Sequence, residues 1–180
     1  MLIQPNQSLL LVVDIQEKLA PAIHEGAAAI ANNRRLLASA TRLGIPVFVS
    51  EQYVRGLGGT VAELLPLPAG AQRIEKMHFS CTREPGFLEK LAQTGRQQIV
   101  VTGMETHVCV LQTALGLLEA GYTVFLVEDA SSSRTPANRA AALARLRAAG
   151  AHIVTTEMVV FEWLQKAGTD DFRALLPLIK

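Results

Sequence analysis

The chain has 180 residues, of which 49% are apolar and 18% charged, and its 17 basic and 16 acidic side chains leave a formal net charge of +1. This length and composition describe one globular domain, expected to span 1–180, and exclude a disordered chain. The charge balance leaves no footprint for nucleic acid or an anionic membrane, and the longest charge-free apolar stretch, Glu105 to Glu119, is too short to cross a bilayer. Met1–Pro5 has no basic leader, and two cysteines, Cys81 and Cys109, are too few for a disulfide framework, so a reducing cytoplasmic location is expected.

Along the chain, apolar runs alternate with helical patterns. Ser8–Ile15 is almost wholly aliphatic, as a strand buried on both faces requires, and Asp14 stands near its end. Alanines and leucines at helical spacing fill Gly26–Leu43, with Arg34 and Arg35 on the outer face, and Gly44 sits where a helix-ending glycine belongs. Ile45–Val49 reads as the second strand. From Glu51 to Gly70 periodicity is lost among glycines and prolines, with one short helical turn expected at Val61–Leu65; a loop of that length points to a lid or packing arm. A weak strand near Arg73–Lys76 precedes a helix at Glu84–Gln93. Then follow a strand at Gln98–Thr102, a helix at His107–Ala120, a strand at Tyr122–Glu128 and an Ala/Arg-rich helix at Pro136–Ala149. A last strand at His152–Thr155 and terminal helices at Glu157–Lys166 and Asp170–Leu178 complete the pattern. Strands separated by helices of this length imply right-handed crossovers. The expected fold is α/β: a three-layer α/β/α sandwich on a mostly parallel, six-stranded, Rossmann-like sheet.

Ligands of such sheets bind beyond the carboxyl ends of the strands. Asp14, Lys76 and Cys109 all fall at that edge. Taken singly, each has an ordinary structural explanation: a turn-forming aspartate, a solvated lysine, a buried core cysteine. Together they supply a carboxylate, an ammonium and a thiol. A helix N-terminus and a neighbouring ammonium both favour a thiolate at Cys109. Asp14 is then placed to take the thiol proton and Lys76 to hold the pair, the logic of nucleophile, base and orienter.

The segment Gly103-Met104-Glu105-Thr106-His107-Val108-Cys109-Val110 resembles the Gly-x-x-Thr-x-x-Cys-Val signature of the isochorismatase-like cysteine hydrolases. Asp14-Ile15-Gln16 resembles the family's Asp-x-Gln, and Lys76-Met77-His78-Phe79-Ser80 its Lys-x-x-Phe-Ser. Glu51-Gln52-Tyr53 with Gly56-Leu57-Gly58 and Thr60-Val61 resembles the branch of isochorismatase-domain-containing proteins. The resemblance spans Asp14 to Asp129. It implies a triad of Asp14, Lys76 and Cys109, a cis peptide at Met104–Glu105, and an oxyanion hole built from the amides of Glu105 and Cys109. It also implies a homo-oligomer, a dimer or a larger even-numbered assembly.

The departures bear on substrate. Nicotinamidases of the family carry Asp-x-His after the second strand to bind a metal, whereas this chain has Glu51-Gln52-Tyr53. His24, His78, His107 and His152 show no metal-ligand spacing, so neither metal nor cofactor is expected. True isochorismatases cleave a vinyl ether without a thiol, and retention of Cys109 favours acyl transfer through a thioester. The expected activity is therefore hydrolysis of a small-molecule amide or related C–N bond. Gln16, Tyr53, His78 and His107 are candidates to line the substrate site, and Arg134 is placed to meet a carboxylate there. A non-catalytic ligand-binding or interaction protein on the same fold is the alternative; a redox role for Cys109 is weaker, because no Cys-x-x-Cys exists. The apolar loop Leu64–Leu67 and Phe161–Trp163 are expected to be covered by a partner subunit.

Overall fold

The computed structural model describes residues 1–179 and carries six strands in one parallel sheet. They are β1 (Ser8–Val13), β2 (Val47–Gln52), β3 (Gln72–Lys76), β4 (Gln98–Met104), β5 (Thr123–Ser132) and β6 (His152–Val154), in spatial order β3-β2-β1-β4-β5-β6. Every pairing is parallel. The strand order reverses between β1 and β4, which makes the carboxyl end of that pair the switch point where ligand crevices form.

Among the described residues seven α-helices accompany the sheet: α1 (Gly26–Arg42), α2 (Val54–Leu57), α3 (Phe87–Gln93), α4 (Leu111–Glu119), α5 (Pro136–Ala148), α6 (Thr156–Leu164) and α7 (Asp170–Ile179). Alternation along β1 separates two cores. Leu10 and Val12 pack with Leu36, Phe125 and Trp163 on the α1–α6 side. Leu9, Leu11 and Val13 pack with Phe87, Leu91, Leu117 and Leu146 on the α4–α5 side. Because both faces are covered, the central strands carry no exposed polar face, which explains their unbroken aliphatic runs.

Several boundaries differ from the sequence reading, and the reasons are local. β1 stops at Val13 because Asp14 adopts φ 51, a left-handed backbone that leaves the ladder. β2 continues through Glu51 and Gln52, and the loop beyond it contains α2 as well as a tight turn at Ala62–Leu64. β5 extends past Glu128 to Ser132 through a bulge. Its register against β4 jumps from Val101↔Leu126 to Gly103↔Ser131. Two α1 asparagines hold the bulge: Asn32 donates to Asp129 O at 2.8 Å and Asn33 to Ala130 O at 2.8 Å, while Thr102 Oγ1 donates to Asn33 Oδ1 at 2.6 Å. A buried asparagine inside a helix is thereby fully used.

The expected partner-covered surface is also revised in part. Leu64 and Trp163 belong to the chain's own core, with the Trp163 indole donating to Ser8 Oγ at 3.0 Å, whereas Leu65 and Phe161 remain exposed.

Gly103 is required by close approach. It sits opposite Val13 with φ +124, and a Cβ there would lie 2.0 Å from the Val13 carbonyl oxygen. Gly103→Ala is expected to destabilise the protein by more than about 4 kcal/mol, or to prevent folding, in urea denaturation. A variant as stable as the parent would contradict this packing.

Candidate active site

Three strand ends and one turn converge at the switch point. Asp14 follows β1, Ser50 and Gln52 end β2, and Lys76 ends β3. Cys109 lies in Thr106–Val110, a single π-helical turn between β4 and α4, in which the Val110 N–H reaches the Glu105 carbonyl at 3.3 Å. The Met104–Glu105 peptide before that turn is cis.

The Asp14 and Lys76 side chains are completely buried and form an ion pair, Lys76 Nζ to Asp14 Oδ2 at 2.7 Å. The other carboxylate oxygen, Oδ1, accepts the Ser50 hydroxyl at 2.6 Å, and the Asp14 N–H donates to Ser50 O at 3.1 Å. The ammonium also donates to Gln52 Oε1 at 2.6 Å, and the carbonyls of Phe79 and His78 lie 3.1 and 3.2 Å away. Burial alone would lower the Lys76 pKa; the Asp14 carboxylate, helped by the neighbouring thiols, outweighs it and holds the ammonium above its ordinary value.

Cys109 is 6% exposed and close enough to Asp14 to feel its charge. The expectation of an acidic thiol is overturned here. Burial, then the Asp14 charge, push the Cys109 pKa up, and the opposing pull of Lys76 is smaller than either. The sequence placed the ammonium correctly but not the desolvation, which depends on how deeply the turn is packed. At neutral pH Cys109 rests as a thiol beside the Asp14–Lys76 ion pair.

The other predicted residues divide. Gln16 is fully buried and its amide is spent on the backbone: Nε2 donates to the carbonyls of Gln52 (2.9 Å) and Gly58 (2.7 Å), and Oε1 accepts the Gln52 N–H at 2.7 Å. It is a loop clamp with no donor or acceptor directed at a substrate. Tyr53, half exposed, lines a cavity of about 350 Å³ with Arg55, Lys76, Met77 and Glu84. His78 is exposed and pairs through Nδ1 with Glu84 at 3.0 Å, a contact that holds the Glu84 carboxyl below its ordinary value. His107 is held on both nitrogens, Nδ1 by Ser133 Oγ at 3.0 Å and Nε2 by Asn138 at 3.3 Å. Arg134, expected to meet a carboxylate in the substrate site, is paired within the chain instead: its Nε donates to Glu105 Oε2 at 2.8 Å and so anchors the peptide expected to supply an oxyanion donor.

Glu51 lies on β2, at the place the sequence reading set against the Asp-x-His of nicotinamidases. Its carboxylate accepts the Thr60 N–H (2.8 Å) and hydroxyl (2.5 Å), and Tyr53, two residues on, offers no imidazole. Among the described residues no three His, Cys, Asp or Glu side chains gather as a metal site. Sequence reasoning missed Ser50 and Gln52. Their signal was available: polar residues closing a strand buried along its whole length, as Asp14 does after β1.

A parallel 3-2-1-4-5-6 sheet with carboxylate, ammonium and thiol at its switch point defines an isochorismatase-like hydrolase fold. The isochorismatase domain model matches residues 8–158, and the chain belongs to the isochorismatase family. Isochorismatase family protein 1A of Dictyostelium discoideum is 37% identical over 182 residues, covering 98% of this chain and 87% of that protein. A structure described as MAR1 ribonuclease from Caenorhabditis elegans is 37% identical with a TM-score of 0.94, covering 99% and 92% of the two chains. YcaC from Escherichia coli, described as an octameric hydrolase of unknown specificity, is 26% identical with a TM-score of 0.93 over 99% and 90%. YcaC from Pseudomonas aeruginosa, described with hexane-2,5-diol and covalent acrylamide, is 28% identical with a TM-score of 0.91 over 98% and 91%.

The raised pKa values have a direct consequence for stability. Below about pH 9 both thiols are protonated whether the chain is folded or not; above it the unfolded chain ionises while folded Cys109 and Cys81 keep their protons. Lys76 acts the same way above about 10.5, where the folded protein retains the proton longer. Stability is therefore expected to fall as pH rises from about 9, by up to about 1.4 kcal/mol per pH unit for each group titrating. Denaturation at pH 8, 9 and 10 measures this, and Cys109→Ser is expected to flatten the decline. A stability rising across that range would contradict the assignment.

Proposed function

We propose that this protein is a cysteine hydrolase cleaving a small-molecule amide or related C–N bond, with Asp14, Lys76 and Cys109 as its catalytic triad. The observation that carries the reading is one carboxylate, Asp14, held by Ser50 and Lys76 and acting on the Cys109 thiol beside it. An acid–base group in that position has the proton of the nucleophile within reach.

Because Cys109 rests as a thiol, its proton leaves during attack. Cys109 Sγ bonds to the carbonyl carbon as Asp14 takes the proton, and the carbonyl electron pair moves to oxygen. The N–H groups of Glu105 and Cys109 receive that oxyanion; one such donor is worth about 100–1000-fold in rate. Collapse breaks the C–N bond, and Asp14 returns the proton to the leaving amine. Water then attacks the thioester with Asp14 again as base, releasing acid and restoring the thiol. Lys76 keeps the Asp14 carboxyl group oriented through both halves. Tyr53 and His107 border the substrate, with Gln16 shaping the loop that carries Tyr53.

We further propose a homo-oligomer, in line with the octameric relative, because Met77, Phe79 and Phe161 are exposed apolar side chains. A cytoplasmic location fits two free cysteines. The ribonuclease named among the structural neighbours is not the reading favoured here, since a net charge of +1 gives little attraction for a polyanion.

A panel of small primary amides, followed by ammonia release, tests the proposal. Turnover is expected to vanish in Cys109→Ala and to fall about 100–10,000-fold in Asp14→Asn. Full activity in Cys109→Ala, or cleavage of RNA but no amide, would overturn it.

A further inference from the structure

The Lys76 ammonium has a second side-chain partner besides Asp14, and it is the shorter contact. Gln52 Oε1 lies 2.6 Å from Nζ, against 2.7 Å for Asp14 Oδ2. The two residues are in register on adjacent parallel strands, Gln52↔Lys76, so their side chains emerge side by side at the sheet edge. The rest of Gln52 is equally committed. Its Nε2 donates to Met77 O at 2.9 Å, and Gln16 brackets its backbone from both sides. Gln16 in turn reaches Gly58 O, while neighbouring Glu51 holds Thr60.

A neutral amide has a specific merit in this place. A second carboxylate would divide the ammonium between two anions and give the buried cluster a net negative charge. An apolar side chain would remove the shortest of the four contacts to the ammonium and leave its three N–H groups to Asp14 and to the carbonyls of Phe79 and His78, at 3.1 and 3.2 Å, in a site where its side chain is fully buried. Glutamine satisfies the ammonium, orients it and leaves its charge to Asp14 and Cys109.

We propose that Gln52 is a positioning residue of the triad, fixing the Lys76 ammonium against Asp14 and tying it, through Gln16, to the 53–60 loop. The inference rests on the triad reading above. Its test is built so that the two fail separately.

The probe is iodoacetamide, with the rate of Cys109 alkylation followed by peptide mass spectrometry against pH on the full-length protein. The charged groups acting on the thiol are Asp14 after β1 and Lys76 on β3, and the other titratable group facing it is Cys81 in the turn at Cys81–Arg83. Gln52→Glu adds an anion to that set, so the alkylation profile is expected to move to higher pH by about one unit, a tenfold loss of rate at fixed pH. Gln52→Met, which removes the acceptor without adding charge, is expected to slow alkylation with a smaller displacement. Should Gln52→Met fail to fold, the isosteric Gln52→Glu decides the matter. Lys76→Met and Asp14→Asn run alongside. If those two move the profile and Gln52→Glu leaves it at the parent position, the positioning role is wrong and the triad stands. If none of the variants moves it, the triad reading itself fails.

Discussion

The Lys76–Asp14 ion pair joins the ends of β1 and β3 across β2, with both side chains removed from solvent. A buried pair of this kind is tolerable only when its remaining donors and acceptors are filled. Here Ser50 takes the free carboxylate oxygen, and Gln52 and two carbonyls surround the ammonium. Removing one partner from such a pair costs about 3–5 kcal/mol, so the site and the stability of the sheet edge are inseparable. The same pair acts on Cys109: burial first, and then the charge of its negative member, which outweighs the pull of Lys76, keep the sulfur protonated.

The surrounding structure serves to bring further groups to this pair without opening the core. Gly103, lacking a side chain, lets β4 run against β1 closely enough for the π-helical turn to set Cys109 beside Asp14. The bulge in β5, held by Asn32 and Asn33, returns that strand to β4 at Ser131 and Ser132. Ser133 and Arg134 thereby reach His107 and Glu105. On the opposite side, Gln16, Glu51 and Gln52 gather the 53–60 loop. Each device is a polar residue at the margin of an apolar element.

Much of this was legible in the sequence because parallel sheets leave a strong pattern. The four central strands, buried along most of their length, appear as apolar runs with glycines at helix ends, and the three candidate residues stand at or shortly beyond the ends of strands. What was not legible depends on distance across the fold. The bulge at Asp129–Ala130 has no local signature, since its partners are asparagines 97 residues away. Gln16 reads as a site residue from its motif position, yet three hydrogen bonds commit it to the loop. The thiol's acidity was misjudged for the same reason. A helix N-terminus and a lysine can be seen in a sequence, whereas the depth at which Cys109 is packed cannot.

Acrylamide, itself a small primary amide bearing an electrophile, offers the most direct measurement of the central claim that Asp14 activates a buried Cys109 thiol. Incubated with native protein and followed by peptide mass spectrometry, it should modify Cys109 far faster than Cys81, which has the same chemistry but is completely buried. Asp14→Asn should abolish that preference, because losing the proton acceptor outweighs the lowering of the thiol pKa that removal of the Asp14 charge brings. Equal, slow labelling of both cysteines, or a Cys109 rate unchanged by Asp14→Asn, would contradict the account.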